Sequence, residues 1–202
     1  MSVVMMHAVV SVDGYIADEH DDVGPLFEWY GNGDRPLFAD DGIHPRMAVS
    51  AASYEYVRPM WDGIRCTIMG RHLFDLTNGW EAEPPAGEHL VVVSHRPRPD
   101  GWHPEADVPF VADIAEAVRI GRALAGDGTV ALTAGDVGGQ ALALGLVDIV
   151  AMDVVPVVFG SGRRYFGGID GQHLLEDPDV VIRGDRVLHL RYPVRRAPQA
   201  PA

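Results

Sequence analysis

Three short stretches place a glycine or a hydroxyl at the end of an apolar run, beside residues suited to an anion. Met69-Gly70-Arg71-His72 closes the run Cys66–Met69 and opens a helical pattern. A glycine there lets the backbone approach a ligand, and helix-start amides with a guanidinium favour a phosphate. Val93-Ser94-His95-Arg96 ends a second run with a hydroxyl and a second guanidinium. Thr133-Ala134-Gly135-Asp136-Val137-Gly138-Gly139-Gln140 reads as a strand, a glycine turn and a small-residue helix, a geometry suited to a pyrophosphate. It is not G-x-G-x-x-G, so the usual dinucleotide fingerprint is absent. Arginines at two corners and a bare backbone at the third point to a ligand with several phosphates, such as NADPH.

The elements that must position these corners follow from apolar runs of strand length. They are Val3–Val12, Cys66–Met69, Leu90–Val93, Val130–Thr133, Ile149–Val158 and Val187–Tyr192. Near-continuous apolarity predicts strands covered on both faces, as in a largely parallel sheet, where ligands gather at the carboxyl ends of the strands. Helical patterns lie between them at Ser50–Asp62, with a serine cap, and at Ile114–Leu124 and Val137–Leu146. The alternation predicts an α/β layered domain. Too little helix separates the last runs, so Val180–Arg183 and Val187–Tyr192 are expected as an antiparallel edge, turning at Gly184-Asp185. Residues 18–45 read as a long acidic and aromatic loop. A single domain over residues 1–194 and a frayed tail over 195–202 complete the expected organisation.

Composition removes whole classes of chemistry. All 16 basic residues among the 202 are arginine, so mechanisms needing a lysine amine are excluded. A formal net charge of −13 disfavours nucleic acid and anionic membrane as partners. The N-terminus lacks the basic flank of a signal peptide, and no stretch has membrane-span length, which gives a cytoplasmic protein as the expectation. Cys66, the single cysteine, reads as a buried hydrophobe. The nine histidines are scattered without HExxH, so no metal is expected, and no Ser–His–Asp order is evident. The acidic run Asp18-Glu19-His20-Asp21-Asp22 reads as a solvated loop.

The three corners in this order resemble the dihydrofolate reductase superfamily, in the branch of the riboflavin-pathway pyrimidine reductase domain. Ser11-Val12-Asp13-Gly14-Tyr15-Ile16-Ala17 is similar to that branch's first strand and loop, and Met69-Gly70-Arg71-His72 to its cofactor arginine motif. Gly145-Leu146-Val147-Asp148, Pro156-Val157-Val158-Phe159-Gly160-Ser161-Gly162 and Tyr165-Phe166 resemble its C-terminal signature. The resemblance implies an α/β/α sandwich around a mixed sheet, NADPH as hydride donor and a homodimer. It implies that Ile16 and Ala17 lie beside the nicotinamide. Arg71, Ser94 and Arg96 would surround the 2′-phosphate. Gly70 would open the arginine corner, and His72 with the turn Gly135, Asp136, Val137 and Gly138 would hold the pyrophosphate. Two departures stand out: Leu73 follows the Arg-His pair, and Ala134-Gly135 replaces a glycine pair.

A reductase of a C=N or similar bond in a small heterocycle also needs a proton. Asp13 and Glu55 are the candidate sources, provided burial raises a carboxyl pKa. Tyr54 and Trp80 are candidate pocket walls, and Arg163 with Arg164 a candidate site for a substrate phosphate. A folate and a ribosylamino-pyrimidine phosphate both remain open as substrates. The competing class is a protein of the same fold that binds a nucleotide or heterocycle without turnover. No deaminase domain is expected in the chain.

Overall fold

The computed structural model describes residues 2–38 and 47–195. The expected tail beyond Arg195, and residues 39–45 of the expected loop, lie outside them. Eight strands form the main sheet. They are β1 (Val3–Ser11), β5 (Ile64–Gly70), β6 (His89–Val93), β7 (Phe110–Val111), β8 (Thr129–Thr133), β9 (Ile149–Val155), β11 (Val180–Arg183) and β12 (Leu188–Pro193). Their order is β11-β12-β9-β1-β8-β5-β6-β7. Every pairing from β9 to β7 is parallel, and β12 and β11 close the other edge antiparallel. Two two-stranded ribbons join β2 (Tyr15–Ala17) to β10 (Arg163–Arg164) and β3 (Arg35–Pro36) to β4 (Ala48–Val49).

Adjacent residues in each parallel strand serve opposite layers, because side chains alternate across a strand. Val4, Met6, Cys66, Ile68, Val130 and Leu132 form one core with α3 (Ile114–Ala125) and α4 (Asp136–Ala143). Val9 and Val155 face the other way, against α1 (Ala51–Gly63) and the 3-10 turn Gly24–Gly31. On that second face Met69, Leu90 and Val92 meet Phe74 of α2 (Arg71–Thr77). The result is a three-layer α/β/α sandwich. Burial of both sheet faces explains the unbroken apolar runs of the sequence. Cys66 is fully buried, and burial pushes its thiol up to about 12, leaving almost no thiolate.

Local signals fix the helix starts. The Ser50 hydroxyl accepts from the Ser53 amide at 3.4 Å, and the Asp113 carboxylate accepts from the Glu116 amide at 2.8 Å. The hairpin between β11 and β12 closes through the Gly184 amide on the Val187 carbonyl at 2.9 Å. Its left-handed residue is Arg186, at φ 57°. Gly184 is required for space instead: a Cβ there would sit 2.2 Å from the Ser53 hydroxyl. No helix among the described residues is long and apolar enough to cross a membrane.

Candidate functional site

The three sequence corners fall at the carboxyl ends of three consecutive strands, β8, β5 and β6. They touch. A Cβ on Gly70 would lie 2.8 Å from Val137, so the β5–α2 corner packs on the first turn of α4. A Cβ on Gly135 would lie 3.7 Å from the Ile16 side chain, which joins β2 to the same edge. Gly70, Val137, Gly135 and Ile16 therefore make one continuous rim. Ala17 is buried in β2, opposite Arg163 of β10.

Two guanidiniums meet at the β5–β6 end of the rim. Arg71 Nε donates to Asp75 Oδ1 at 2.7 Å, and Arg96 Nη2 donates to Asp75 Oδ2. Arg71 Nη1 also reaches the Pro97 carbonyl at 2.9 Å and the Ser94 hydroxyl at 3.4 Å. The buried Ser94 side chain accepts from the Arg96 amide at 3.0 Å and donates to the Arg96 carbonyl at 2.6 Å. Hydrogen bonds from Arg71, and then from Arg96, hold the Asp75 carboxyl below its ordinary value. Two forks and a hydroxyl on one small surface form a donor set suited to a phosphate.

A second donor pair, Arg163 and His72, stands beside it. Asp21 Oδ1 accepts from Arg163 Nε at 2.7 Å and lies 2.9 Å from His72 Nε2. Arg163 lowers the Asp21 carboxyl most, with His72 next, to about 2. The loop around Asp21 is thus tied to both α2 and β10. Arg163, expected at a substrate phosphate, is engaged here.

The glycine turn is occupied in part. The Gly135 amide donates to the Tyr165 carbonyl at 2.7 Å, and the Gly168 amide reaches Asp136 Oδ1 at 3.2 Å. Asp136, Val137 and Gly138 head α4, where amides have no carbonyl partner within the helix. Tyr165 is fully buried, its Oη 2.7 Å from the Ala151 carbonyl and 3.1 Å from that of Met6. It anchors the 160–169 segment to the sheet.

Asp13 does not behave as the sequence suggests. Its side chain is exposed, and its carboxyl is lowered, first by the Ser11 hydroxyl, which together with the Gly160 and Phe159 amides outweighs the desolvation that would raise it. Those bonds measure 2.6 Å, 2.7 Å and 3.2 Å. An ionised carboxylate accepting from three donors clamps the β1–β2 turn to the loop after β9 and has no proton to give at neutral pH. It borders an open hollow of about 450 Å³, which Tyr15, Arg164 and Phe166 also line. Glu55 stands exposed on the solvent side of α1.

Tyr54 is half-buried against the cluster of Leu26, Trp29 and Val57. Trp80 packs against the core beneath α2. Asn78 to Ala82 form a left-handed turn, with φ of 49°, 59°, 50°, 53° and 64°. That turn lays Trp80 on the cluster of Phe74 and Trp102 beneath α2. The Trp102 indole donates to the Asn78 carbonyl at 3.1 Å and helps hold the strained residues.

The structure also builds a polar chain absent from the sequence reading. His7 Nε2 lies 2.9 Å from Asp153 Oδ2, and Asp153 Oδ1 lies 2.6 Å from His189 Nδ1. His189 Nε2 lies 2.9 Å from the Ser53 hydroxyl. A Ser–His–Asp order therefore exists, contrary to expectation. Ser53, His189 and Asp153 are only 1%, 0% and 2% exposed, so the hydroxyl is sealed and this is no open nucleophile. The chain ties α1 to β12, β9 and β1. Its open end is His7, whose side chain is 16% exposed. His7 Nδ1 has no hydrogen-bond partner among the described residues. By strand register His7 lies beside Thr133, two residues before Gly135. The available signal was a polar residue inside an apolar run: His7, Asp153 and His189 each interrupt one. Among the described residues no group of three potential ligands is placed to hold a metal ion.

No protein-family model matches the sequence, and no curated protein sequence matches it. Solved structures do match in shape. A protein from Shewanella sp. PV-4 described as a riboflavin biosynthesis protein superposes with a TM-score of 0.66 at 18% identity, over 96% of this chain and 99% of that one. A diaminohydroxyphosphoribosylaminopyrimidine deaminase/5-amino-6-(5-phosphoribosylamino)uracil reductase from Thermotoga maritima gives 0.59 at 14% identity, over 96% of this chain and 57% of that one. RibD from Acinetobacter baumannii gives 0.56 at 13%, over 96% and 58%. The chain thus spans little more than half of the two longer proteins. The eight-stranded order, the antiparallel edge and these superpositions together give the chain a dihydrofolate-reductase-like fold, similar to that of riboflavin-pathway reductases.

Proposed function

We propose that the protein is an NADPH-dependent reductase of a small heterocyclic substrate, acting at a C=N or related unsaturated bond. The contact of the three corners carries this reading: Gly70 against Val137 and Gly135 against Ile16 make one rim, along which a dinucleotide would lie. Arg71, Arg96 and Ser94 would hold the 2′-phosphate. His72 and the free amides of Asp136, Val137 and Gly138 would face the pyrophosphate, and Ile16 and Ala17 the nicotinamide. NADPH, when bound, would supply hydride. The chain's own task is to align the acceptor bond and keep water away.

A proton must reach the substrate as well. Asp13 is ionised and clamped, whereas His7 Nδ1 is open and lies level with the end of β8. Its other ring nitrogen is held by Asp153 at 2.9 Å, so Nδ1 is the atom at which His7 would pass a proton. Diethyl pyrocarbonate followed by peptide mapping checks this access. It should modify His7 and spare His189 in the folded protein; equal modification of both would contradict the open and sealed positions.

The names of the solved relatives favour a pyrimidine over a pterin substrate. Fluorescence titration with NADPH and NADH tests the reading. NADPH should bind at micromolar concentration and more tightly than NADH. Binding of neither below millimolar concentration would end the reductase reading. Turnover with dihydrofolate or a ribosylamino-pyrimidine phosphate would then choose the substrate.

A further inference from the structure

Each donor pair at the rim already holds an aspartate. Asp75 spans Arg71 and Arg96, one carboxylate oxygen to each, and Asp21 spans His72 and Arg163. Both aspartates lie at the rim: their side chains are 40% and 18% exposed. The protein as a whole is strongly negative and has no lysine to supply loose counter-charge. At these two pairs an incoming phosphate therefore meets no bare cation. It must exchange with a carboxylate that already fills part of the donor set, or bind against that carboxylate's charge.

We propose that Asp75 and Asp21 are specificity-determining counter-ions: Asp75 sets how strongly a phosphomonoester on the ligand is recognised, and Asp21 sets the affinity for the diphosphate that both nicotinamide dinucleotides share. This rests on the dinucleotide reading and deepens it. The division follows from position. Asp75 touches only the Arg71–Arg96 pair at the β5–β6 end of the rim, where NADH would present a neutral hydroxyl. Asp21 touches the pair bordering α2 and β10, where both ligands would present the same charge. Removing one negative charge a few ångströms from a bound phosphate, partly in solvent, changes affinity by about tenfold.

Asp75→Asn and Asp21→Asn keep the shape and one accepting oxygen while removing the charge; the amide nitrogen no longer accepts from a guanidinium. Asparagine also tolerates the left-handed backbone of Asp21, at φ 66°. Dissociation constants for NADPH and NADH are measured by calorimetry on the wild type and both variants. Asp75→Asn should tighten NADPH about tenfold and leave NADH within about twofold. Asp21→Asn should tighten both by the same factor. If Asp75 merely orients the arginines, Asp75→Asn will weaken NADPH, which overturns the proposal. Equal shifts for both dinucleotides in Asp75→Asn also overturn it while leaving the reductase reading intact. Failure of the wild type to bind either dinucleotide overturns both.

Discussion

Replacing Asp153 with alanine should lower the free energy of unfolding by about 3–5 kcal/mol, because it leaves two imidazoles without their shared carboxylate in the core. Asp153 is 2% exposed and fixed on both oxygens, by His7 at 2.9 Å and His189 at 2.6 Å. Tyr30 and Tyr56 also feel its charge. Burial by itself pushes this carboxyl up. The charge of His7 and the hydrogen bonds from both histidines outweigh burial and bring it to about 2. The sign follows: a depressed folded pKa contributes stability above the unfolded value, near 3.8, that is lost as pH falls toward 2. Urea unfolding at pH 7 and at pH 3 measures both effects. The wild type should weaken between these pH values, and Asp153→Ala should lose part of that dependence. Ser53→Ala should cost only about 1 kcal/mol, since it removes one neutral partner at the end of the chain.

Arg71→Gln should weaken NADPH binding about 10- to 100-fold and change NADH binding by no more than about threefold. Arg71 is the better buried of the two guanidiniums, its side chain 17% exposed against 62% for Arg96. It is also held in place by the Pro97 carbonyl at 2.9 Å and by stacking over Phe74 at 5.4 Å. A preorganised fork loses little entropy when it takes a phosphate. Arg96→Gln, at the exposed end of the pair, should have the smaller effect. Parallel calorimetric titrations with the two dinucleotides separate a lost phosphate contact from a general disturbance of the rim.

The strands were legible because burial on both faces leaves apolar runs that periodicity detects. The runs at Cys66–Met69 and Val130–Thr133 fall within β5 and β8, and the Ser50 cap lies immediately before α1. The corners themselves were legible as well, since glycine and arginine at strand ends mark corners whatever the strand order. Long-range partners were hidden. Asp13 looks like a turn residue with a free carboxyl, yet two of its donors are the Phe159 and Gly160 amides, 146 and 147 residues away. No local pattern could show that its pKa is lowered. His7, Asp153 and His189 read as interruptions in three separate strands, and only the order β12-β9-β1 joins them.

Asp75 was half legible. It stands four residues after Arg71, the spacing of a helical ion pair, but the bond from Arg96 depends on β6 lying beside β5. Gly184 was seen for the wrong reason: the sequence suggests turn geometry, and the structure needs room beside Ser53. The setting of Trp80 was hidden because a run of left-handed residues is not something propensity anticipates outside glycine and asparagine.

A crystal structure grown with NADPH tests the central claim most directly. The dinucleotide should lie across the ends of β8, β5 and β6, with its 2′-phosphate hydrogen-bonded to Arg71 and its diphosphate against the first turn of α4. A well-ordered dinucleotide in the hollow beside Asp13 and Arg164, with Arg71 and Arg96 still closed on Asp75 alone, would contradict the account.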